Sequence, residues 1–145
     1  MIRVIDNYKA VLDVLNYYTK DLEPIISGRI NLEEMAKKFT AFGTVIELVE
    51  DGARKGFAGF YHNDRKLGRA FLSMIVVLPE YQGCGCGSRI LAETEHECID
   101  DGMKILAVEV RTDNQRAIKF YEERGFSVIN ALSDTKVILE KGLVK

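Results

Sequence analysis

The chain has 145 residues with 47% hydrophobic and 29% charged side chains, an ordinary globular composition and enough length for a single domain, residues 1–145, that buries roughly 70% of its unfolded surface. A net charge of -2 from 20 basic and 22 acidic residues offers no cationic footprint for nucleic acid. The longest aliphatic run, residues 74–78, falls far short of the ~18 residues a membrane span requires, and Arg3, Asp6, Lys9 and Asp13 interrupt the N-terminus as a signal peptide would not allow, so the expected location is cytoplasmic.

In chain order, the first third reads as helical. Val11, Leu12, Leu15 and Tyr18 recur at helical spacing, and Asn31 can cap a second helix carrying Leu32, Met35, Ala36 and Phe39 on one face. Two helices are therefore expected before the sheet. Residues 44–49 are strand-like, Asp51-Gly52 suits a tight hairpin turn, and residues 56–61 form the return strand, with a second turn expected at His62-Asn63-Asp64. The next strand, residues 67–78, ends in Met74-Ile75-Val76-Val77-Leu78, a continuous apolar run that suits a central strand covered on both faces. Pro79 closes it.

A glycine-rich loop follows, and Ile90, Leu91, Thr94, Cys98 and Ile99 mark the buried stripe of a helix ending near Gly102. Residues 105–110 form another strand, which the strand, loop, helix, strand order makes a parallel crossover. A short helix over residues 114–124 and strands near 126–129 and 136–139 complete the chain. The expected fold is α+β, with a mixed, mostly antiparallel sheet.

The loop Gln82-Gly83-Cys84-Gly85-Cys86-Gly87-Ser88 stands between a strand and a helix start. The first N–H groups of a helix lack intrahelical partners and its dipole favours anions, so a pyrophosphate can be held there, with glycines leaving room for its approach. A glycine-rich turn without a ligand reads equally well from this segment alone. A dinucleotide fingerprint is disfavoured by the preceding antiparallel strands, and Ser88 follows Gly87 without the lysine of a Walker loop. The thiols Cys84, Cys86 and Cys98 read as reduced; a metal site would need further ligands, with His96 and Cys98 the nearby pair, and no metal is expected.

The segment Val108-Glu109-Val110-Arg111, followed by Asn114, Tyr121 and Gly125-Phe126, lies downstream of Gln82-x-x-Gly85-x-Gly87. In that order the two motifs resemble the GNAT family of N-acetyltransferases, most closely over residues 74–128. The resemblance implies a sheet of six to seven strands with a splayed parallel pair, flanked by about four helices, and acetyl-CoA as co-substrate. It places Gln82, Gly83, Cys84, Gly85, Cys86, Gly87 and Ser88 around the pyrophosphate, the backbone of Ile75, Val76 and Val77 along pantetheine, and Asn114 and Ala117 beside the same arm. Asn114 can also be a helix cap, and Tyr121 can be core.

By the same resemblance Tyr121 is the general acid that protonates the leaving thiolate. Acetylation of an amine also needs a proton acceptor, because an alkyl ammonium of pKa ~10 is mostly protonated at neutral pH. Glu109, which interrupts an apolar strand, is the candidate base; the alternative is an ion pair with Arg111 or Lys104. Arg89, Arg116 and Lys119 are candidates for the 3'-phosphate or simply solvated helix residues, and His62 is an alternative base or an exposed hairpin residue. Tyr17, Tyr18 and Phe42 are candidate acceptor-pocket walls or core. The expected reaction is direct acetyl transfer to the primary amine of a small molecule. Acetylation of protein N-termini, a non-catalytic acetyl-CoA-binding module and an acetyl-cysteine route through Cys84 or Cys86 are the alternatives. The sequence fits either a monomer or a homodimer.

Overall fold

The computed structural model describes residues 1–20 and 31–144. Strand β1 (Ile2–Ile5) precedes helices α1 (Tyr8–Thr19) and α2 (Leu32–Phe42). Strands β2 (Gly43–Glu50), β3 (Ala53–Asp64) and β4 (Arg69–Val77) follow, then α3 (Cys86–Asp100), β5 (Ile105–Arg111), α4 (Gln115–Glu122), β6 (Ser127–Ala131) and β7 (Lys136–Gly142). The strands form one sheet in the order β1-β2-β3-β4-β5-β7-β6. Only the β4/β5 pair is parallel; its neighbours are antiparallel. This is the α+β arrangement expected, with four α-helices among the described residues.

Each helix start has a local cause. Asn7, Asn31 and Asn114 cap α1, α2 and α4, their side-chain oxygens accepting from the N–H of Ala10, Glu34 and Ala117, which satisfies donors that a helix leaves orphaned. The sheet divides the core in two. On one face Ile46, Leu48, Phe60, Leu72, Leu106 and Val108 pack under Ile90, Leu91 and Tyr121 of α3 and α4. On the other, Val45 and Phe57 pack under Val11, Leu15, Tyr18 and Phe39 of α1 and α2. Gly59 lies flat under Phe39, since a Cβ there would stand 2.4 Å from the ring.

Three expectations are corrected. A strand, not a helix, opens the chain: β1 pairs with the edge of β2 from Ile2↔Leu48 to Ile5↔Val45, a long-range contact that a four-residue segment with two exposed positions does not signal. The turn expected at residues 62–64 lies at residues 65–68, because β3 runs on to Asp64, which pairs with Arg69. Finally, residues 74–78 are half-buried rather than covered on both faces. The reason is the opening of the sheet at this point.

Candidate active site

β4 and β5 keep register only from Arg69↔Ile105 to Leu72↔Val108. Beyond these pairs β4 follows β3 to Val77 and β5 follows β7 to Arg111, with no ladder between them. A bulge starts the divergence. Gly59 pairs with Met74 and Phe60 with Leu72, leaving Ser73 as an extra residue in β4, and an extra residue bends a strand and re-aims its side chains. Ala70 and Leu72 share one face with Ile75 and Val77, whereas Met74 and Val76 pack on the opposite face.

The resulting cleft, about 580 Å³, is lined by Ile75, Val77, Gln82, Gly83, Gly85, Gly87, Ser88, Asn114, Arg116, Ala117, Phe120, Tyr121 and Arg124. Gly83 and Gly85 have φ of 80° and 81°, and no atom lies within 4 Å of a Cβ built at either. Backbone conformation, rather than crowding, requires glycine there. Gly85 is the N-cap of α3, so the following N–H groups present the unpaired donors and the positive dipole end of a fifteen-residue helix to the cleft. The Gln82 amide donates to the Val77 carbonyl at 3.0 Å, tying the loop to the end of β4.

Arg124 reinforces this end. Its Nε–H donates to Ser88 Oγ at 2.8 Å, Nη2 donates to the same oxygen, and Nη1 donates to the Phe120 carbonyl at 2.8 Å. The guanidinium carbon lies 3.9 Å from the Phe120 ring centroid. With two donors on its oxygen, the Ser88 hydroxyl keeps its own proton for an acceptor in the cleft. Arg124 and Phe120 did not emerge from the motifs. Their signal was the helical face of Ala117, Phe120, Tyr121 and Arg124.

At the start of α4, Asn114 accepts from Ala117 N–H at 3.1 Å as the helix cap, which leaves its amide N–H groups for a ligand. Tyr121 is buried, its ring edge-on to Phe120 and Phe126. Burial pushes its phenol up to about 12. It therefore stays protonated through the neutral range, as a proton donor must.

Glu109 lies elsewhere on β5. It lines a smaller opening, about 320 Å³, with Phe71, Leu72, Ser73, Val110, Arg111 and Lys136. Its carboxylate pairs with Lys136 at 3.1 Å, not with Arg111 or Lys104. Arg111 instead holds Asp113 through two N–H donors, at 3.1 and 2.9 Å. Leu72 to Ser73 and Val110 to Arg111 flank the point where β4 and β5 part, and the two openings have no lining residue in common.

Other sequence candidates stand apart from the cleft lining. Val76 packs under α1 and α2, Cys84 is exposed and Cys86 is buried in the core. The three thiols are unpaired with one another, and among the described residues no group of three or more His, Cys, Asp or Glu could hold a metal. Arg89 is tied to Glu50 by two N–H donors at 2.9 Å, and Arg116 is the residue of the expected phosphate-binding trio that lines the cleft. Tyr18 is core, its hydroxyl donating to Glu47, and Phe42 is exposed. His62 is not an exposed hairpin residue: half-buried within β3, it contacts Thr44 Oγ1 and Asp101 Oδ2, each at 2.6 Å.

The sequence model of the acetyltransferase (GNAT) family matches residues 12–126. The chain belongs to this family. Among GNAT relatives, the spermine/spermidine N(1)-acetyltransferase of Bacillus subtilis is 30% identical over 127 residues, 83% of this chain and 82% of that enzyme. The ribosomal protein bS18-alanine N-acetyltransferase of Haemophilus influenzae is 33% identical over 85 residues, 59% of this chain. That match spans only 56% of the Haemophilus enzyme's own length. A GNAT-fold structure, the N-acetyltransferase of Thermoplasma acidophilum in complex with coenzyme A, superposes with a TM-score of 0.70 at 17% identity, covering 98% of this chain and 99% of the other. GNAT acetyltransferases take their acetyl group from acetyl-CoA.

Proposed function

We propose that residues 1–145 act as one catalytic unit, an acetyl-CoA-dependent N-acetyltransferase that acetylates the primary amine of a small molecule by direct attack. The observation that carries the reading is the cleft at the divergence of β4 and β5, which has an anion cradle at one end and the Tyr121 phenol in its wall. Its chemistry fits coenzyme A. The α3 N-terminus, Ser88, Arg116 and Arg124 suit the phosphates, and the unpaired edge of β4 beside Ile75 and Val77 offers backbone groups to the amides of the pantetheine arm.

Acetyl-CoA supplies an activated acyl group, and the chain's own residues handle protons and position. Glu109 accepts the proton of the incoming ammonium, directly or through a water, and Tyr121 delivers one to the departing thiolate. Holding the two reactants together contributes up to ~7 to 11 kcal/mol, and proton transfer adds roughly 100- to 10,000-fold. Cys86 is buried and Cys84 lies outside the cleft lining, which supports direct attack over an acetyl-cysteine intermediate.

An opening of about 320 Å³ beside Glu109 suits a metabolite-sized acceptor. The match to the polyamine acetyltransferase over 83% of this chain supports a small molecule. The match to the bS18-alanine enzyme supports the second reading, a protein N-terminal amine. Thiol release and product mass, measured with acetyl-CoA across a panel of small amines and alanine-initiated peptides, separate these. Turnover confined to peptides overturns the small-molecule acceptor; cofactor binding without thiol release across the panel overturns catalysis.

Arg124→Gln is expected to raise KM for acetyl-CoA about tenfold, equivalent to one charge-assisted hydrogen bond at ~1.4 kcal/mol, with kcat nearly unchanged. Steady-state kinetics at fixed ionic strength check this. An unaltered KM would leave Arg124 only the task of packing α4 against α3.

A further inference from the structure

The Glu109–Lys136 pair raises a question that the base role of Glu109 does not answer. The Lys136 ammonium stands 3.1 Å from one oxygen of the Glu109 carboxylate, Oε1, so an acceptor ammonium arriving there meets a carboxylate that already has one cation. It either shares the carboxylate with Lys136 or exchanges with it, and in both cases two ammonium groups face one carboxylate. Glu109 is one-third exposed and Lys136 about half exposed, so the exchange is accessible to a solute and the intrinsic strength of the pair is modest.

What the exchange leaves behind decides which acceptor benefits. A bare amine on Glu109 leaves the Lys136 ammonium sharing or losing its carboxylate, next to Arg111, its cross-strand partner in the β5/β7 ladder. Both cations line the same opening, where Glu109 is the acidic residue of the lining, and Asp113 outside it is held by Arg111. A second ammonium on the acceptor adds to that positive charge. A carboxylate or phosphate on the acceptor, a few bonds from its amine, pairs with Lys136 instead. One ion pair becomes two, and no charge is left without a partner.

We propose that Lys136 is the specificity-determining residue of the acceptor site and that it selects amines carrying their own anionic group, such as amino carboxylates and amino phosphates, over polyamines. The proposal rests on the acetyltransferase reading above, with Glu109 facing the acceptor. It runs counter to a polyamine acceptor of the kind named for the Bacillus relative.

The test compares β-alanine and 2-aminoethyl phosphate with 1,3-diaminopropane and spermidine, in the wild type, Lys136→Ala and Lys136→Arg. Wild type is expected to favour the anion-bearing amines at least tenfold in kcat/KM. In Lys136→Ala the KM for these amines rises about tenfold while that for the diamine falls, and Lys136→Arg restores the wild-type order. A merely structural lysine would move both classes in the same direction. Calorimetric titration of the same four amines into the protein with coenzyme A, which cannot react with them, reads the preference without turnover. The proposal is overturned by a wild-type preference for the diamines, or by a ratio that Lys136→Ala leaves unchanged in both assays. Absence of turnover with every amine would count against the catalytic reading, and the calorimetric ratio would still decide the role of Lys136.

Discussion

Tyr121→Phe is expected to lower kcat by roughly 100- to 10,000-fold, the contribution of a positioned general acid, while the affinity for acetyl-CoA and the melting temperature stay close to wild type. The ring, which packs against Phe120 and Phe126, is kept. Only the hydroxyl is removed, and among the described residues nothing bonds to it. Steady-state kinetics, cofactor titration and thermal unfolding on one preparation check the three parts together. The pH dependence gives an independent reading. Burial raises the phenol to about 12, above the ~10 of an exposed tyrosine, so the neutral form is favoured in the folded state. The stability linked to this group is fully present below ~10 and is lost as the pH rises through about 12. Tyr121 therefore remains a competent acid across pH 6 to ~10. A descending limb of kcat in that range that disappears in Tyr121→Phe would contradict the assignment, as would a variant retaining a tenth or more of wild-type kcat.

Glu47→Ala is expected to cost about 3 kcal/mol of folding stability, or about 10 °C in melting temperature for a chain of this size. Glu47 is fully buried on the α1 face of β2. Its carboxylate accepts from Arg3 at 2.9 Å, from the Tyr18 hydroxyl at 2.7 Å and from Arg54 Nε at 2.7 Å. These partners come from β1, α1 and β3, so one carboxylate ties three elements to β2. Removing it leaves Arg54, whose side chain is 23% exposed, with Asp13 at 3.1 Å as its remaining carboxylate, and it strips the buried Tyr18 hydroxyl of its acceptor. Removing one partner from a buried, hydrogen-bonded charge network is what makes such losses large. Glu47→Gln keeps the shape and one acceptor and should lose about half as much. Chemical denaturation measures both, and a loss below 1 kcal/mol for the alanine variant would mean that solvent reaches Arg54.

The candidate site was legible where its parts are local. The Gly83 and Gly85 turns, the α3 start, the Asn114 cap and the face carrying Ala117 and Tyr121 lie within two short segments, and each depends on the conformational preferences of its own residues. The parts that were not legible depend on distant strands. Ser73 is a bulge only because of how β3 pairs with β4, and that bulge turns the apolar run 74–78 from a sealed core into the wall of an open cleft. Residues 2–5 are a strand only because the edge of β2 is free to receive them.

The sequence by itself determined the order of elements from β2 onward, the glycine cradle and its place before a helix, and the family. The order and the cradle follow from short-range periodicity, capping and backbone angles, which a chain carries wherever it folds, and the family from the resemblance of two ordered motifs. The tertiary structure alone decided that Glu109 meets Lys136 rather than Arg111 or Lys104, that Arg124 holds Ser88, and that Arg89 turns away to Glu50. Such pairings depend on the register of β5 against β7 and on the packing of α4 beside α3. Many side chains of suitable charge compete for each partner along the chain, and only the folded geometry brings one of them within hydrogen-bond distance.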